Sequence, residues 1–212
     1  MHILLTDQLV CPRCGPEFGL IVLADTFEDR DVVEGVLGCA NCRSTYAVAD
    51  GVADLTATGG DEIRFGAPVS ADPDRGLRLA ALLGVTQPNV MVLAIDRTGQ
   101  AAVGLAETVP GVHVVGVAEA WGGTDVQPTE GILSRLLAGK SLPLRSGSLR
   151  GLALVGVEAE DLLEETRRVL APGGRIVIEG APAELADTLV KTGFELHLEQ
   201  DGVVVASPSG RS

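Results

Sequence analysis

Four cysteines, the only ones among 212 residues, constrain the fold of this chain more than any other feature. They form two C-x2-C pairs, Cys11 with Cys14 and Cys39 with Cys42. In such a pair both thiolates can point at one position, and two pairs brought together form the tetrahedral four-sulfur site that Zn2+ prefers. Four protein ligands leave the metal no open position, so the pattern predicts a structural zinc site rather than a hydrolytic one.

Three other arrangements also fit four cysteines. Two disulfides need an oxidising compartment, whereas the chain starts Met1-His2-Ile3 with no basic or apolar leader, so we expect a cytoplasmic protein. A redox C-x2-C needs one pair beside a thioredoxin-like βαβ pattern, and an iron–sulfur centre is a further alternative. Zinc is favoured because residues 1–55 make a thin core that a metal would stabilise.

Short strand patterns surround the cysteines. Apolar runs at Phe18–Ala24 and Val32–Leu37 predict a small β-rich module over residues 1–55. The segment after the second cysteine pair resembles the Tyr-x-(Ile/Val)-x-Asp-Gly-(Ile/Val) segment of the Trm112-like zinc ribbons, and the matching residues are Tyr46, Val48, Asp50, Gly51 and Val52. Stand-alone members of that family bind methyltransferases and related ribbons precede methyltransferase domains. The resemblance therefore implies a protein partner, another chain or this one.

Helix and strand patterns alternate in the second part of the chain, residues 77–212, after a linker at 56–76 that contains glycine and proline. The alternation predicts an α/β fold with a mostly parallel sheet, and Asp201-Gly202 predicts a terminal antiparallel hairpin. The predicted helices are Leu77–Leu83, Gln100–Thr108, Glu158–Leu170 and Ala183–Thr192. The predicted strands are Val90–Ile95, Val112–Val117, Leu152–Val157, Arg175–Glu179, Phe194–Glu199 and Val203–Ala206. Residues 121–138 are ambiguous, because Ile132–Leu137 fits a helix or a strand.

This order of elements resembles the Rossmann-like fold of the class I S-adenosylmethionine-dependent methyltransferases, over residues 77–208. Val169–Ile178 matches the family segment V-L-(K/A)-P-G-G-x-(L/I), and Leu142–Leu149 is similar to its L-P-(F/L)-x-D-x-S-F loop. The resemblance implies S-adenosylmethionine as cofactor. We also expect the ribbon to pack against this domain, since Phe18–Leu23 is more apolar than a small core can bury.

The cofactor loop departs from the family pattern D-x-G-x-G-x-G. Leu93 stands at the position of the acid, Ile95 and Arg97 stand at two glycine positions, and only Gly99 matches. Each lost glycine places a side chain where bare backbone approaches the cofactor. This departure predicts weakened or lost S-adenosylmethionine binding.

Other cofactor positions of the family are also altered. Ala118 stands where an acid grips the ribose, with Glu119 one place later, and Ser146 replaces the acid of the adenine-facing loop. By resemblance, the candidate cofactor residues are therefore Gly99, Glu119 and Ser146. Asp96 either replaces the lost acid or forms a turn, and Trp121 either flanks an adenine or packs in the core.

Charge and catalytic residues narrow the functions further. A net charge of −13 disfavours broad nucleic-acid or anionic-membrane binding. We identify no catalytic residues, since His2, His113 and His197 are scattered and fit structural roles. A run of basic residues is either a solvated loop or a docking site for an acidic or phosphate-bearing ligand: Arg135, Lys140, Arg145 and Arg150.

Three functional hypotheses follow. The first is a pseudoenzyme, a protein of methyltransferase fold that has lost S-adenosylmethionine binding and acts as a partner-binding or scaffolding protein. The second is an active methyltransferase with an atypical cofactor loop. The third is a module that binds another small molecule in the same cleft, because a fold alone does not determine function.

Overall fold

The computed structural model describes residues 1–56, 65–67, 69–122 and 131–210. The amino-terminal part holds a 3-10 helix and four strands, namely Ile3–Gln8, β1 (Ile21–Glu28), β2 (Asp31–Gly38), β3 (Thr45–Ala49) and β4 (Val52–Leu55). The remaining strands are β5 (Phe65–Gly66), β6 (Met91–Ile95), β7 (His113–Val117), β8 (Trp121–Gly122), β9 (Ile132–Ala138), β10 (Leu149–Val155), β11 (Leu170–Glu179), β12 (Phe194–Gln200) and β13 (Val203–Pro208). The helices are α1 (Pro73–Leu83), α2 (Gln100–Thr108), α3 (Leu163–Val169) and α4 (Leu185–Lys191), with a 3-10 turn at Glu160–Leu162 before α3.

One 11-stranded sheet runs through the described part of the molecule, in the order β1-β2-β3-β4-β9-β7-β6-β10-β11-β13-β12. Its centre, β9-β7-β6-β10-β11, is parallel throughout. Counted along the chain from β6, this is the order 3-2-1-4-5 of doubly wound folds. The last two strands form an antiparallel hairpin beside β11. The predicted fold class, α/β and Rossmann-like with a terminal antiparallel hairpin, is confirmed.

The amino-terminal strands join this sheet directly. Strand β4 pairs in parallel with β9, from Val52 opposite Arg135 to Leu55 opposite Ala138. The expected packing of residues 1–55 against the rest of the chain is therefore confirmed, and its form is backbone pairing. This pairing also explains why the ambiguous segment is a strand, since β9 bonds to β4 on one side and to β7 on the other.

Helices cover both faces of the parallel centre, because alternate residues of a strand point to opposite faces. Leu93 and Ile95 of β6 pack in the cluster that contains residues of α3 and α4. Val92 and Ala94 pack in the cluster that contains residues of α1 and α2. Both faces are thus buried, which is why the parallel strands are continuous apolar runs.

Some element ends differ from the sequence prediction. Helix α1 begins at Pro73, so residues 73–76, predicted as linker, are helical; the Asp72 carboxylate caps the helix by accepting from Arg75 N at 3.0 Å. The helix predicted over Glu158–Leu170 is shorter in the structure: Glu160–Leu162 is a 3-10 turn and α3 covers Leu163–Val169. Leu170 already pairs with Leu149 as the start of β11. Over the ranges described, no helix is both long enough and apolar enough to cross a bilayer.

Candidate functional site

The four cysteine sulfurs meet at one point, and all lie within 4.8 Å of one another. Cys11 Sγ is 3.7 Å from Cys42 Sγ, and Cys39 Sγ is 3.8 Å from Cys14 Sγ. A tetrahedron with metal–sulfur bonds of about 2.3 Å has edges of about 3.8 Å between its sulfurs. The thiols are free rather than joined in disulfides. The geometry therefore fits a four-coordinate metal, and the predicted ligand set is brought together.

Polar groups surround the sulfurs and shift the pKa values of individual cysteines in opposite directions. Ser44 Oγ lies 3.2 Å from Cys42 Sγ, and Asn41 Nδ2 donates to Cys14 Sγ at 3.3 Å. Hydrogen bonds from the side chain and backbone of Ser44 lower the pKa of Cys42 to about 6. The Tyr46 hydroxyl, buried beneath the site, lies 3.4 Å from Cys11 Sγ. The pKa of Cys14 is instead raised to about 11, because the hydrogen bond from Asn41 is outweighed by desolvation and by hydrogen bonds with the other three cysteines. The thiolate form that metals bind is therefore favoured at Cys42, and a metal would displace the proton of Cys14 on binding.

A cleft of about 960 Å3 opens at the carboxyl ends of the parallel strands. This is the edge at which open α/β sheets bind ligands. Each of the five strands contributes one residue at or just after its end: Ile95, Val117, Ala138, Gly156 and Gly180. The lining combines these apolar strand ends with six charged residues, four acidic and two basic, so a ligand there would meet both apolar and charged groups.

Two exposed ion pairs stand on the rim of the cleft. Arg97 Nε lies 3.3 Å from Glu119 Oε1, and both side chains are about 70% exposed (73% and 72%). Lys140 Nζ lies 2.6 Å from Asp161 Oδ2. Pairs this exposed add little stability and can open to a ligand. The cationic groups of this cleft are thus already matched by carboxylates of the chain itself.

The turn after β6 is built around Asp96. Its buried carboxylate accepts hydrogen bonds from Thr98 N at 2.7 Å and Ala101 N at 2.6 Å, and also from Gly99 N. Two of these N–H groups, those of Gly99 and Ala101, are among those that the first turn of α2 leaves without intrahelical partners. Of the two interpretations of Asp96, the structure supports the turn-forming one.

Trp121 packs directly against the one retained glycine of the cofactor loop. Gly99 has φ +81°, and a Cβ there would overlap the indole at Cζ3. The indole is fully buried, and Nε1 donates to Leu136 O at 2.9 Å. A Cβ at Gly116 of β7 would lie 2.6 Å from Cη2 of the same ring. Trp121 therefore packs in the core, and the bare face of Gly99 is occupied by this side chain.

Of the three candidate cofactor residues, Gly99 and Glu119 follow the ends of neighbouring strands, where Glu119 N donates to Arg97 O at 3.3 Å, and Ser146 lies apart. Glu119 lies on the rim of the cleft, while Gly99 lies against Trp121. Ser146 is in an exposed turn before β10 and does not line the cleft. Sequence reasoning missed Gly156 and Gly180, which lie on the cleft floor at positive φ. Both could have been found from the sequence, because each is a glycine that directly follows a buried strand.

Two of the three histidines meet, which the sequence did not suggest. The rings of His2 and His113 are 5.6 Å apart, edge to face, and His113 Nε2 lies 2.9 Å from Ser134 Oγ. Burial lowers the pKa of His113 to about 4, so the imidazole is neutral. His197 lies elsewhere, 2.8 Å from Ser207 Oγ. None of the three lines the cleft, which agrees with structural roles.

The four basic residues predicted as a docking run occupy different parts of the sheet. Arg135 donates to Asp50 O across the β4–β9 junction, and Lys140 pairs with Asp161 at the cleft. Arg150 Nη1 donates to Pro172 O at 3.0 Å, near the amino end of β10. Arg145 is exposed in the turn before β10. Three of the four thus have partners within the chain.

Comparisons with known proteins find similar solved structures, several of them described as methyltransferases. No family model matches the sequence, and no curated protein matches it. A TehB-like methyltransferase from Corynebacterium glutamicum is 15% identical, over 64% of this chain and 88% of that one, with a TM-score of 0.45. A putative S-adenosyl-L-methionine-dependent methyltransferase from Methanococcus maripaludis is 11% identical over 66% and 86%, with a TM-score of 0.46. The 1,6-didemethyltoxoflavin-N1-methyltransferase of Burkholderia thailandensis, which holds S-adenosylhomocysteine, is 18% identical over 65% and 77%, with a TM-score of 0.46. Agreement at this level carries no conclusion about activity, and the fold class rests on the strand order of this chain.

Proposed function

We propose that this protein is a zinc-containing, methyltransferase-like protein that does not bind S-adenosylmethionine and works by binding another protein. The observation that carries the proposal is the packing of Trp121 on Gly99. In a working loop of the resembled family, bare glycine backbone faces the cofactor. Here the bare face is covered by a fully buried side chain of the chain itself.

Other remnants of a cofactor site also have partners within the chain. Asp96 is used by the backbone of the turn and of α2, and Arg97 pairs with Glu119. Ala118 supplies no acceptor for ribose hydroxyls, and a missing charged acceptor costs about 1.5–3 kcal/mol of binding free energy. These contacts account for Gly99, Asp96 and Glu119 without a cofactor, which supports the loss of binding.

Zinc is the metal we assign to the four cysteines. An all-thiolate tetrahedral set suits Zn2+, and its closed coordination suits a structural role. Cys11, Cys14, Cys39 and Cys42 would hold the ion and tie the loop after the 3-10 helix to the turn between β2 and β3. The ion would supply folding free energy to a small module.

Calorimetric titration of the zinc-loaded protein with S-adenosylmethionine and S-adenosylhomocysteine tests the central part of this proposal. We expect no saturable heat from either compound. A dissociation constant below about 100 μM, equivalent to about −5.5 kcal/mol, would contradict the proposal and favour an active methyltransferase. Metal content measured on the same sample verifies that the ribbon is loaded.

A second candidate function is favoured by the cleft itself. Its volume of about 960 Å3 lies at the upper end of the range of small-molecule sites. Gly156 has open space around its Cα, so a ligand could approach the ends of β10 and β11 closely. A ligand-observed NMR screen tests this candidate. The non-binding control is Val157→Trp, whose larger side chain would fill the cleft. Compounds that bind both proteins equally would exclude it.

A further inference from the structure

Exposed apolar side chains are concentrated in the amino-terminal part of the chain, above all on β1. Of the eight large hydrophobic residues that are exposed in the described ranges, five lie within the first 27 residues. Three of them, Ile21, Leu23 and Phe27, belong to β1 and are 58%, 64% and 53% exposed. Leu4 and Phe18 are the other two. A group of this kind on a soluble protein marks an interaction site more often than chance exposure does.

Strand β1 is also the edge of the sheet. It pairs with β2 on one side, and no strand of the described residues pairs with it on the other. Its eight residues extend over about 26 Å of free backbone edge. Proteins usually protect such an edge with charged residues, above all Lys, or with Pro. Ile21–Glu28 contains no Lys, Arg or Pro, so its protection is limited to Asp25, Glu28 and the irregular pairing between Ala24 and Phe27.

Acidic side chains around the β1 edge favour a basic partner over a second copy of this chain. Asp25, Glu28 and Asp29 are exposed, and no ion pair within the described ranges involves them. Residues 1–60 carry nine acidic and three basic side chains. A second copy would bring the same acidic edge and a further net charge of −13, which opposes self-association. A basic partner would instead be attracted.

We propose that β1 is the docking edge for an extended segment of a basic partner protein, which adds a strand to the sheet. Backbone hydrogen bonds would supply the pairing, and alternate apolar side chains of the segment would cover Ile21 and Leu23. Lysine or arginine at its ends would meet Asp25, Glu28 and Asp29. This inference rests on the proposed partner-binding role and not on the loss of S-adenosylmethionine binding, which calorimetry measures separately.

Two peptide probes test the proposal on the full-length, zinc-loaded protein. Each is a labelled peptide of about twelve residues in which Val and Thr alternate, long enough to pair with the eight residues of β1. One peptide ends in lysines and the other in glutamates. Binding is followed by fluorescence anisotropy. Leu23→Lys places a charge on the edge, and Leu77→Lys, at a residue on α1 that is 63% exposed against 64% for Leu23, is the matched control.

We expect the lysine-ended peptide to bind at least about tenfold more tightly than the glutamate-ended one, with affinity falling as salt rises. Leu23→Lys should weaken that binding about tenfold, and Leu77→Lys should leave it unchanged. The proposal would be overturned if neither peptide binds or if both bind equally well. It would also be overturned if Leu23→Lys and Leu77→Lys have equal effects. Wild-type dimers in sedimentation that Leu23→Lys dissociates would overturn it as well, because the occupant would then be a second copy.

Discussion

At the scale of single residues, Gly99 carries both a backbone and a packing constraint. Gly99→Ala would strain a φ of +81° and overlap Trp121, so we expect a loss of about 2–4 kcal/mol in the free energy of unfolding. Gly147 is the matched control, since its φ is +67° but nothing lies within 4 Å of its Cβ position. Gly147→Ala should cost about 1 kcal/mol, for the backbone alone. Urea unfolding measures both, and equal losses would show that Trp121 does not pack on Gly99.

His113 should make stability depend on pH. Burial lowers its pKa from 6.5 to about 4, so between these values the unfolded chain binds a proton that the folded chain does not. Stability therefore falls as the pH is lowered from about 6.5 to 4, by about 3 kcal/mol at most. His113→Gln keeps a polar partner for Ser134 and should flatten this part of the profile.

Thermal unfolding at several pH values gives the comparison between the two proteins. Both keep the four cysteines, so acid affects the cysteine cluster, and any metal it holds, equally in the two proteins, and the difference isolates His113. The nearby His2 and the Met1 amino group also have lowered pKa values, each mainly through burial, and they remain in both proteins. Parallel profiles would show that the imidazole is not held neutral.

At the scale of elements, a buried carboxylate ties α1 to the end of β11. Glu179 accepts from Arg75 Nε at 3.2 Å and from Arg78 Nη2 at 2.5 Å, and its side chain is 8% exposed. Glu179→Gln removes the charge and keeps the shape, so we expect a loss of about 1–3 kcal/mol in unfolding free energy. Glu195→Gln, on the exposed side of β12, should change it by less than about 0.5 kcal/mol. Denaturant titration would contradict the assignment if the two variants were equally stable.

The elements that the sequence predicts well are those with a local signal. Helix α2 has the predicted bounds, because Thr98-Gly99 begins it and its apolar pattern is continuous. Strand β9 was ambiguous because its pairing partners, β4 and β7, are far away in sequence. The start of α1 was set too late, although Asp72 and Pro73 are a recognisable helix start.

The sequence predicts the cysteine cluster, because its metal-ligating residues come in closely spaced pairs. It does not predict the contacts around the cleft, because they join residues that are far apart in the sequence. The spacing of the cysteines determines the four-sulfur cluster almost alone. Nothing local places Trp121 against Gly99 and Gly116, since that contact depends on how β7, β8 and α2 pack together. The separation of Ser146 from the cleft likewise depends on the direction of β10, whose other end forms the cleft.

At the scale of the whole molecule, the four-cysteine cluster and the parallel sheet are connected through β4 and β9. If the cluster holds the proposed zinc, removing it with a chelator or by Cys39→Ser should unfold residues 1–55 and free one edge of β9. We expect faster hydrogen exchange in residues 1–55 and also in Ile132–Ala138, with β10 and β11 unchanged. Mass spectrometry resolves these segments. Exchange that rises in residues 1–55 alone would show that the shared sheet is not a cooperative unit.

The proposed loss of S-adenosylmethionine binding is tested most directly by the emission of Trp121, the only tryptophan in the chain. A cofactor seated on the Gly99 loop would have to move the indole from its fully buried position, which would shift the emission to longer wavelength. We predict no change in the emission maximum as the S-adenosylmethionine concentration is raised to about 1 mM. This is ten times the dissociation constant of about 100 μM below which binding would contradict the proposal. A saturable shift with a midpoint below that limit would contradict the account.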